Sequence, residues 1–144
     1  MLRKMISITS EPINFCRILQ DLMDASSGAT ALFLGTVRDH NDSKAVLEMH
    51  YEIYKEMAEK NLAKIENEAK TKWKINNFVA IHRTGLLKVG EVSVAVAASA
   101  EHRDQAFEAC RYGIDQIKTK APIWKKEIYK NGAQWVDGKS LEKV

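Results

Sequence analysis

Pro122 decides what the C-terminal third of this chain can fold into. It has no amide hydrogen and its ring clashes with the preceding turn. It therefore ends the helical pattern of Ala100 to Thr119 and sends the chain into an extended segment, Ile123 to Tyr129. Lysines crowd that junction: Lys118, Lys120, Lys125 and Lys126 all fall between Lys118 and Glu127. From Arg111 to Lys130, six basic residues stand against two acids, a net +4, while the whole chain carries only +3. Positive charge is thus gathered at one helix-to-strand changeover, and the remainder is near neutral.

Hydrophobic periodicity predicts the elements before that point. Met5–Thr9 reads as a strand, and Ser10-Glu11-Pro12 opens a helix near Ile13 to Asp24 whose Phe15, Cys16, Leu19, Leu22 and Met23 share one face. Ala29 to Val37 is a buried strand, Arg38 to Lys44 a polar loop, and Val46 to Tyr54 a strand with Leu47, Met49, Tyr51 and Ile53 on its apolar side. Ala58, Leu62, Ile65 and Ala69 then mark an amphipathic helix running to about Lys72. Phe78–Thr84 and Glu91–Ser99 are two more strands joined by a glycine-bearing turn, Gly85 to Gly90. Asn131-Gly132 predicts a hairpin that pairs Ala133–Val136 back on Ile123–Tyr129, before a charged tail from Asp137 that is expected to fray. These elements predict a single α/β (α+β) domain over residues 1–144, with a mixed, largely antiparallel sheet and three main helices.

Composition narrows the function. A chain of 144 residues with 45% apolar and 28% charged content can bury a core, and no apolar run reaches the roughly 20 residues of a membrane helix. With no export signal evident, a cytoplasmic location is expected. Cys16 and Cys110 lie on apolar stripes of predicted helices and read as packing residues, and two thiols cannot close a zinc site alone. His40, His50 and His82 have no metal-ligand spacing and read as ordinary polar residues, so no metal is expected. Neither a glycine-rich phosphate loop nor a serine nucleophile elbow is present. A pI near 8.8 is too mild for wrapping a duplex; a small anionic ligand suits it better.

The candidate chemistry sits around the lysines. On the last predicted helix, Phe107, Cys110, Ile114 and Ile117 form a core stripe, with Arg103 and Lys118 beside it near opposite ends. Strand alternation sends Ile123, Lys125, Glu127 and Tyr129 to one face and Trp124, Lys126 and Ile128 to the other, and Trp124 and Ile128 read as the packed set. A bend after Pro122 can fold Lys125 back toward Lys118. Two amines held close depress one another's pKa, which makes a lysine useful as an acid, base or nucleophile. The same charges would equally serve a solvated basic face, as in a noncatalytic module binding an acidic protein or RNA. Arg38, at the end of a buried strand, and His102-Arg103, at a helix N-terminus, are candidates to clamp a phosphate or carboxylate.

Taken in order, Phe33-x-Gly35-x-Val37-Arg38, Tyr51-Glu52-x-Tyr54, Met57-Ala58, His82-Arg83-x-Gly85-x-Leu87, Gly90-Glu91, His102-Arg103, Phe107-Glu108-Ala109 and Pro122-Ile123-Trp124-Lys125-Lys126-Glu127 resemble the catalytic, large subunit of molybdopterin synthase. The resemblance runs from about Gly28 to Val136. It implies an α/β hammerhead-type fold, a homodimer, and a heterotetramer with a small ubiquitin-like sulfur-carrier subunit. The carrier's C-terminal Gly-Gly thiocarboxylate would give its sulfur to cyclic pyranopterin monophosphate, two transfers building the dithiolene of molybdopterin in molybdenum cofactor biosynthesis. No cofactor of its own is implied. By position, the essential lysines of the resemblance fall on Lys118 and Lys125, and its substrate-binding residues on Thr36, Val37, Arg38, His102, Arg103, Lys126 and Glu127. One departure is that Arg38 to Lys44 lacks the glycine many members carry before the following valine.

Overall fold

The computed structural model describes residues 5–136. Over them the chain runs β1 (Ile6–Thr9), α1 (Phe15–Leu22), β2 (Ala29–Thr36), β3 (His40–Asn41), β4 (Lys44–Ile53), α2 (Lys55–Lys72), β5 (Asn77–Arg83), β6 (Gly85–Lys88), β7 (Val92–Ala100), α3 (Arg103–Lys120), β8 (Ile123–Tyr129) and β9 (Gly132–Val136). The tail from Asp137 lies outside the described residues. The strands form two sheets, one ordered β1-β5-β7-β2 and the other β3-β4-β8-β9 with β6 added to β4. Pairing of β1 with β5 is parallel and the remaining ladders of the described residues are antiparallel, so the mixed α+β fold with three helices is as expected.

The first sheet is covered on both faces because its central strands are apolar at successive positions. Phe78, Ala80, Val94, Val96 and Ala98 turn toward α2 and α3, which contribute Ala58, Leu62, Ile65, Ala109 and Ile117. Val79, Ile81, Ala95 and Ala97 turn the other way and meet Ile13, Ile18 and Leu22 around α1. Full burial of a side chain such as Phe78 contributes about 2–3 kcal/mol of transfer free energy. Alanine-rich β7 and Gly113 let α3 lie close: a Cβ at Gly113 would stand 2.8 Å from Phe78 Cζ and from Val96 Cγ1.

Two expected helix faces are corrected. On α1, Ile18 and Leu22 are the buried residues, while Phe15 and Met23 are exposed and Cys16 is a surface thiol. The capping bond from the Arg17 amide to Asn14 Oδ1 (3.0 Å) starts the helix later than the proline would, and turns Cys16 outward. On α3, Phe107 is 65% exposed, and the buried stripe runs through Ala106, Ala109, Cys110, Gly113, Ile114 and Ile117. Small residues set that stripe because the helix needs close approach to β7 more than it needs aromatic bulk.

The second sheet packs through Val37, Met49, Tyr51 and Leu87, with Ile53 and Ile123 against them. A register shift between Val46 and Glu48 turns Val46 inward and leaves Leu47 half exposed, against the expected alternation. The segment expected as a loop from Arg38 to Lys44 is a hairpin: β3 pairs with the start of β4 around Asp42, whose φ of 55° fills the glycine-like position of the turn. Gly85 to Lys88, expected within a turn, is strand β6 on the edge of β4. Gly85 supplies the positive φ (100°) that lets the chain leave β5 and change sheets at once. The β8–β9 hairpin forms as expected, with Tyr129 opposite Gly132.

Candidate active site

Between the end of β2, the inner face of β4 and β8, and the last turn of α3 lies a cavity of about 220 Å³. Thr36, Val37, Arg38, Lys118, Lys125 and Glu127 all line it, so six of the residues singled out from sequence meet in one place. Each arrives by a different local cause. Backbone bonds from the Val37 amide to the Glu91 carbonyl (3.0 Å) and from the Gly90 amide to the Val37 carbonyl (2.8 Å) pin the segment that carries Thr36 and Arg38. Lys118 sits in the final turn of α3, where a cation also complements the helix dipole. Lys125 and Glu127 are brought by β8, in register with Tyr51 and Met49 of β4.

That register overturns the expected orientation of β8. The inner face carries Ile123, Lys125 and Glu127, the last only 4% exposed. Trp124 and Lys126 lie on the opposite face, where Trp124 stacks edge-on against Tyr54 (5.4 Å between ring centroids) and Lys126 Nζ lies 5.6 Å over the Trp135 ring. Lys126 is therefore not a wall of the cavity. Nor are His102 and Arg103, which open α3 at the end opposite Lys118, roughly 22 Å along the helix at 1.5 Å per residue.

Electrostatics distinguish the two carriers of charge on β8. Burial pushes the Lys125 pKa below the ordinary lysine value; Glu127 opposes that shift and Arg38 adds to it. Glu127 is held as an acceptor: Asn41 Nδ2 donates to its Oε1 at 2.8 Å and the Tyr129 hydroxyl donates a short bond to the same atom. The β3 hairpin is thereby fastened to the cavity wall, with Lys44 Nζ lying 5.2 Å over the Tyr129 ring. Three wall or near-wall residues escaped the reading from sequence. Tyr51 looked like core, Ser93 was hidden inside the apolar β7 run, and His82 looked like a polar strand residue; yet Tyr51 and Ser93 line the cavity, and His82 is buried against Tyr51. The alternation of β4 put Tyr51 on the inner side, which was the one available signal.

A second, larger groove of about 650 Å³ runs beside the first along α3 and β2, past Phe33, Phe107, Arg111 and Ile114, and shares Lys118 with it. Cys110 lies in its floor with its thiol donating to the Val96 carbonyl (3.3 Å), and burial pushes its pKa up to about 11. Cys16 is on α1, on the other side of the sheet. Among the described residues no group of three or more His, Cys, Asp or Glu side chains is placed to hold a metal ion, and no helix is long and apolar enough to cross a membrane.

The fold and cavity define an α+β protein of hammerhead type with a pocket lined by two lysines, an arginine and a glutamate. The family described as MoaE protein matches residues 8–120. The molybdopterin synthase catalytic subunit of Bacillus subtilis is 42% identical over 94% of this chain and 85% of its own length. That of Drosophila melanogaster is also 42% identical, over 93% of this chain, but the chain spans only 37% of the length of that protein. The crystal structure of molybdopterin synthase from Staphylococcus aureus superposes with a TM-score of 0.90 at 35% identity, covering 94% of this chain and 99% of that one. The chain belongs to the MoaE family of molybdopterin synthase catalytic subunits.

Proposed function

We propose that this chain is the catalytic subunit of a molybdopterin synthase, a cytoplasmic sulfurtransferase. It would move sulfur from the C-terminal thiocarboxylate of a small ubiquitin-like carrier to cyclic pyranopterin monophosphate, with no cofactor of its own. The observation that carries this reading is the meeting of Lys118 and Lys125 with Arg38 in one small cavity, the Lys125 pKa lowered by burial. In each transfer a carbon–sulfur bond forms at a side-chain carbon of the pterin as a carbon–oxygen bond at that carbon breaks, the oxygen leaving as water or as the opened phosphate ester. The carrier's acyl–sulfur bond breaks with water as the acyl acceptor, leaving a carboxylate. Lys125 suits the proton transfers of such a step, because burial lowers its pKa and makes the ammonium a readier proton donor. Arg38 and Lys118 suit the cyclic phosphate and the negative charge that develops on sulfur and oxygen. Glu127, fixed by Asn41 and Tyr129, keeps Lys125 from being a wholly uncompensated buried charge.

A second copy of the chain accounts for His102 and Arg103. If two α3 helices pack antiparallel through the 650 Å³ groove, about a two-fold axis level with Cys110, the His102 end of one lies by the Lys118 end of the other. The pair then reaches the neighbour's cavity, and exposed Phe33 and Phe107 become interface. With one carrier bound per copy the assembly is a heterotetramer. Lys126, on the outer face of β8, is better placed to meet the carrier than the substrate.

Reconstitution tests the reading: purified protein, a thiocarboxylated carrier and cyclic pyranopterin monophosphate should yield the dithiolene product. Absence of product with a competent carrier would overturn it. A noncatalytic basic module would instead tolerate exchange of either lysine for arginine.

A further inference from the structure

Arg83 and Glu91 line no part of the cavity, yet the wall that carries Thr36 and Arg38 is tied to them. Arg83 Nη1 donates to Glu91 Oε2 at 3.0 Å, from a side chain only 13% exposed. The other carboxylate oxygen, Oε1, accepts from the Lys88 amide at 2.7 Å and closes the turn that leads from β6 into β7. From the same turn come both backbone bonds to Val37, whose amide donates to the Glu91 carbonyl and whose carbonyl accepts from the Gly90 amide. Arg83 thus reaches the cavity wall through one carboxylate and one turn.

The wall needs such a tie because the ladder leading to it is irregular. β2 and β7 pair as Gly35 with Val94 and then Thr36 with Val92, so Ser93 is an extra residue whose hydroxyl donates to the Gly35 carbonyl at 3.2 Å. A bulge bends its strand and interrupts regular pairing, so the next bonds along, those of Val37, fix how the chain leaves the sheet. Burial of the Val37 side chain against Met49, Tyr51 and Leu87 sets its depth; the two backbone bonds set its twist, and the twist aims Thr36 and Arg38 on either side. Arg83 is itself fixed: it is the register partner of Thr9, and Thr84 beside it bonds to the Thr9 carbonyl (2.8 Å) and the Tyr51 carbonyl (3.1 Å). Stability alone does not account for the arrangement. Arg83 Nε is buried with no hydrogen-bond partner among the described residues, which is unfavourable, and a half-exposed ion pair adds little to folding.

We propose that Arg83 and Glu91 are positioning residues of the site: their ion pair holds the Lys88–Glu91 turn against the end of β2, and that turn aims Arg38 at the phosphate of the substrate. The proposal rests on the sulfur-transfer reading for its kinetic consequence, but not for its structural one.

The test uses the full chain with the thiocarboxylated carrier and the cyclic pterin phosphate. Arg83→Met keeps the aliphatic stem and removes the donor. KM for the pterin should rise about 10-fold while kcat changes less than about three-fold, the pattern of lost binding rather than lost chemistry. In an Arg38→Ala background the same substitution should change KM less than about two-fold, because it acts through Arg38. A wild-type KM in Arg83→Met, or a rise as large with Arg38 absent, overturns the proposal. Glu91→Ala removes the pair from its more exposed side and keeps the test open should Arg83→Met not fold. In that variant the Val37 and Gly90 amides should exchange at least about ten-fold faster than in the wild type, and the Arg38 Nε–H resonance should shift. Either readout left unchanged overturns the proposal without reference to turnover. A wild type that makes no dithiolene, while those amides and that resonance respond in Glu91→Ala, overturns the functional reading alone.

Discussion

Tyr51 and Lys125 stand opposite one another in the β4–β8 ladder, and both side chains point into the same cavity. The pairing explains how a lysine comes to be half-buried in the wall of a cavity. Ile53 with Ile123 and Met49 with Glu127 occupy the flanking rungs, so the inner face of β8 alternates apolar, cationic and anionic along its length. Desolvation works against the Lys125 charge, the Glu127 carboxylate works for it, and burial wins, so the pKa stands below the ordinary lysine value.

Replacing Lys125 or Lys118 by arginine keeps a cation and removes a titratable amine. Each variant should fold and bind carrier, while sulfur transfer falls by about 10²- to 10⁴-fold, the usual range for a lost acid–base group. Single-turnover formation of the dithiolene, with carrier affinity measured in parallel, checks this. Activity within about three-fold of wild type in both variants would favour the noncatalytic module.

Asn41→Ala removes one of the two donors on Glu127 Oε1 and loosens the β3 hairpin from the cavity wall. A loss of about 1 kcal/mol in stability is expected, together with faster amide exchange over residues 40–45. Denaturant unfolding and hydrogen exchange read the two effects, and unchanged exchange in the hairpin would show that Asn41 does not fasten it.

Acid should destabilise the fold through His82. Its pKa is about 4 in the folded chain and about 6.5 when unfolded, so the unfolded state takes up a proton between those values that the folded state refuses. The stability present above pH 6.5 is lost progressively as pH falls toward 4, by on the order of 3 kcal/mol at about 1.4 kcal/mol per pKa unit. Comparing wild type with His82→Gln in urea at pH 7 and pH 4.5 isolates it, because the glutamine variant should lack this component of the pH slope.

A persulfide route would need a reactive thiol near the cavity. Cys110 is buried with its pKa raised to about 11, and Cys16 is across the sheet, so the Cys16→Ala, Cys110→Ala double variant should retain sulfur transfer within about two-fold. Loss of turnover in a folded double variant would bring a protein thiol back into the mechanism.

Gly113→Ala should destabilise the chain by about 1–3 kcal/mol, since the added methyl would press on Phe78 and Val96 at 2.8 Å. A thermal melt detects it. An unchanged melting temperature would mean that α3 can slide on the sheet, and with it Lys118.

Much of this protein is written locally in its chain. The helix-to-strand changeover at Pro122 follows from one missing amide hydrogen, and the period of α2 and the apolar runs of β5 and β7 follow from residue-by-residue alternation, so all were legible without coordinates. Crowding of Lys118 and Lys125 around that changeover also marked the cavity. The tertiary structure alone decided which way β8 faces, because Trp124 and Lys125 are both compatible with burial and the choice is made by pairing with β4 more than 70 residues earlier, past a register shift at Val46–Glu48. The same long-range pairing brought Tyr51 and His82 to the lysines and left His102, Arg103 and Lys126 outside the cavity of their own chain. Local propensity carries the period of an element. The face that period buries is set by what packs on it, and for β8 that was a strand from the other end of the fold.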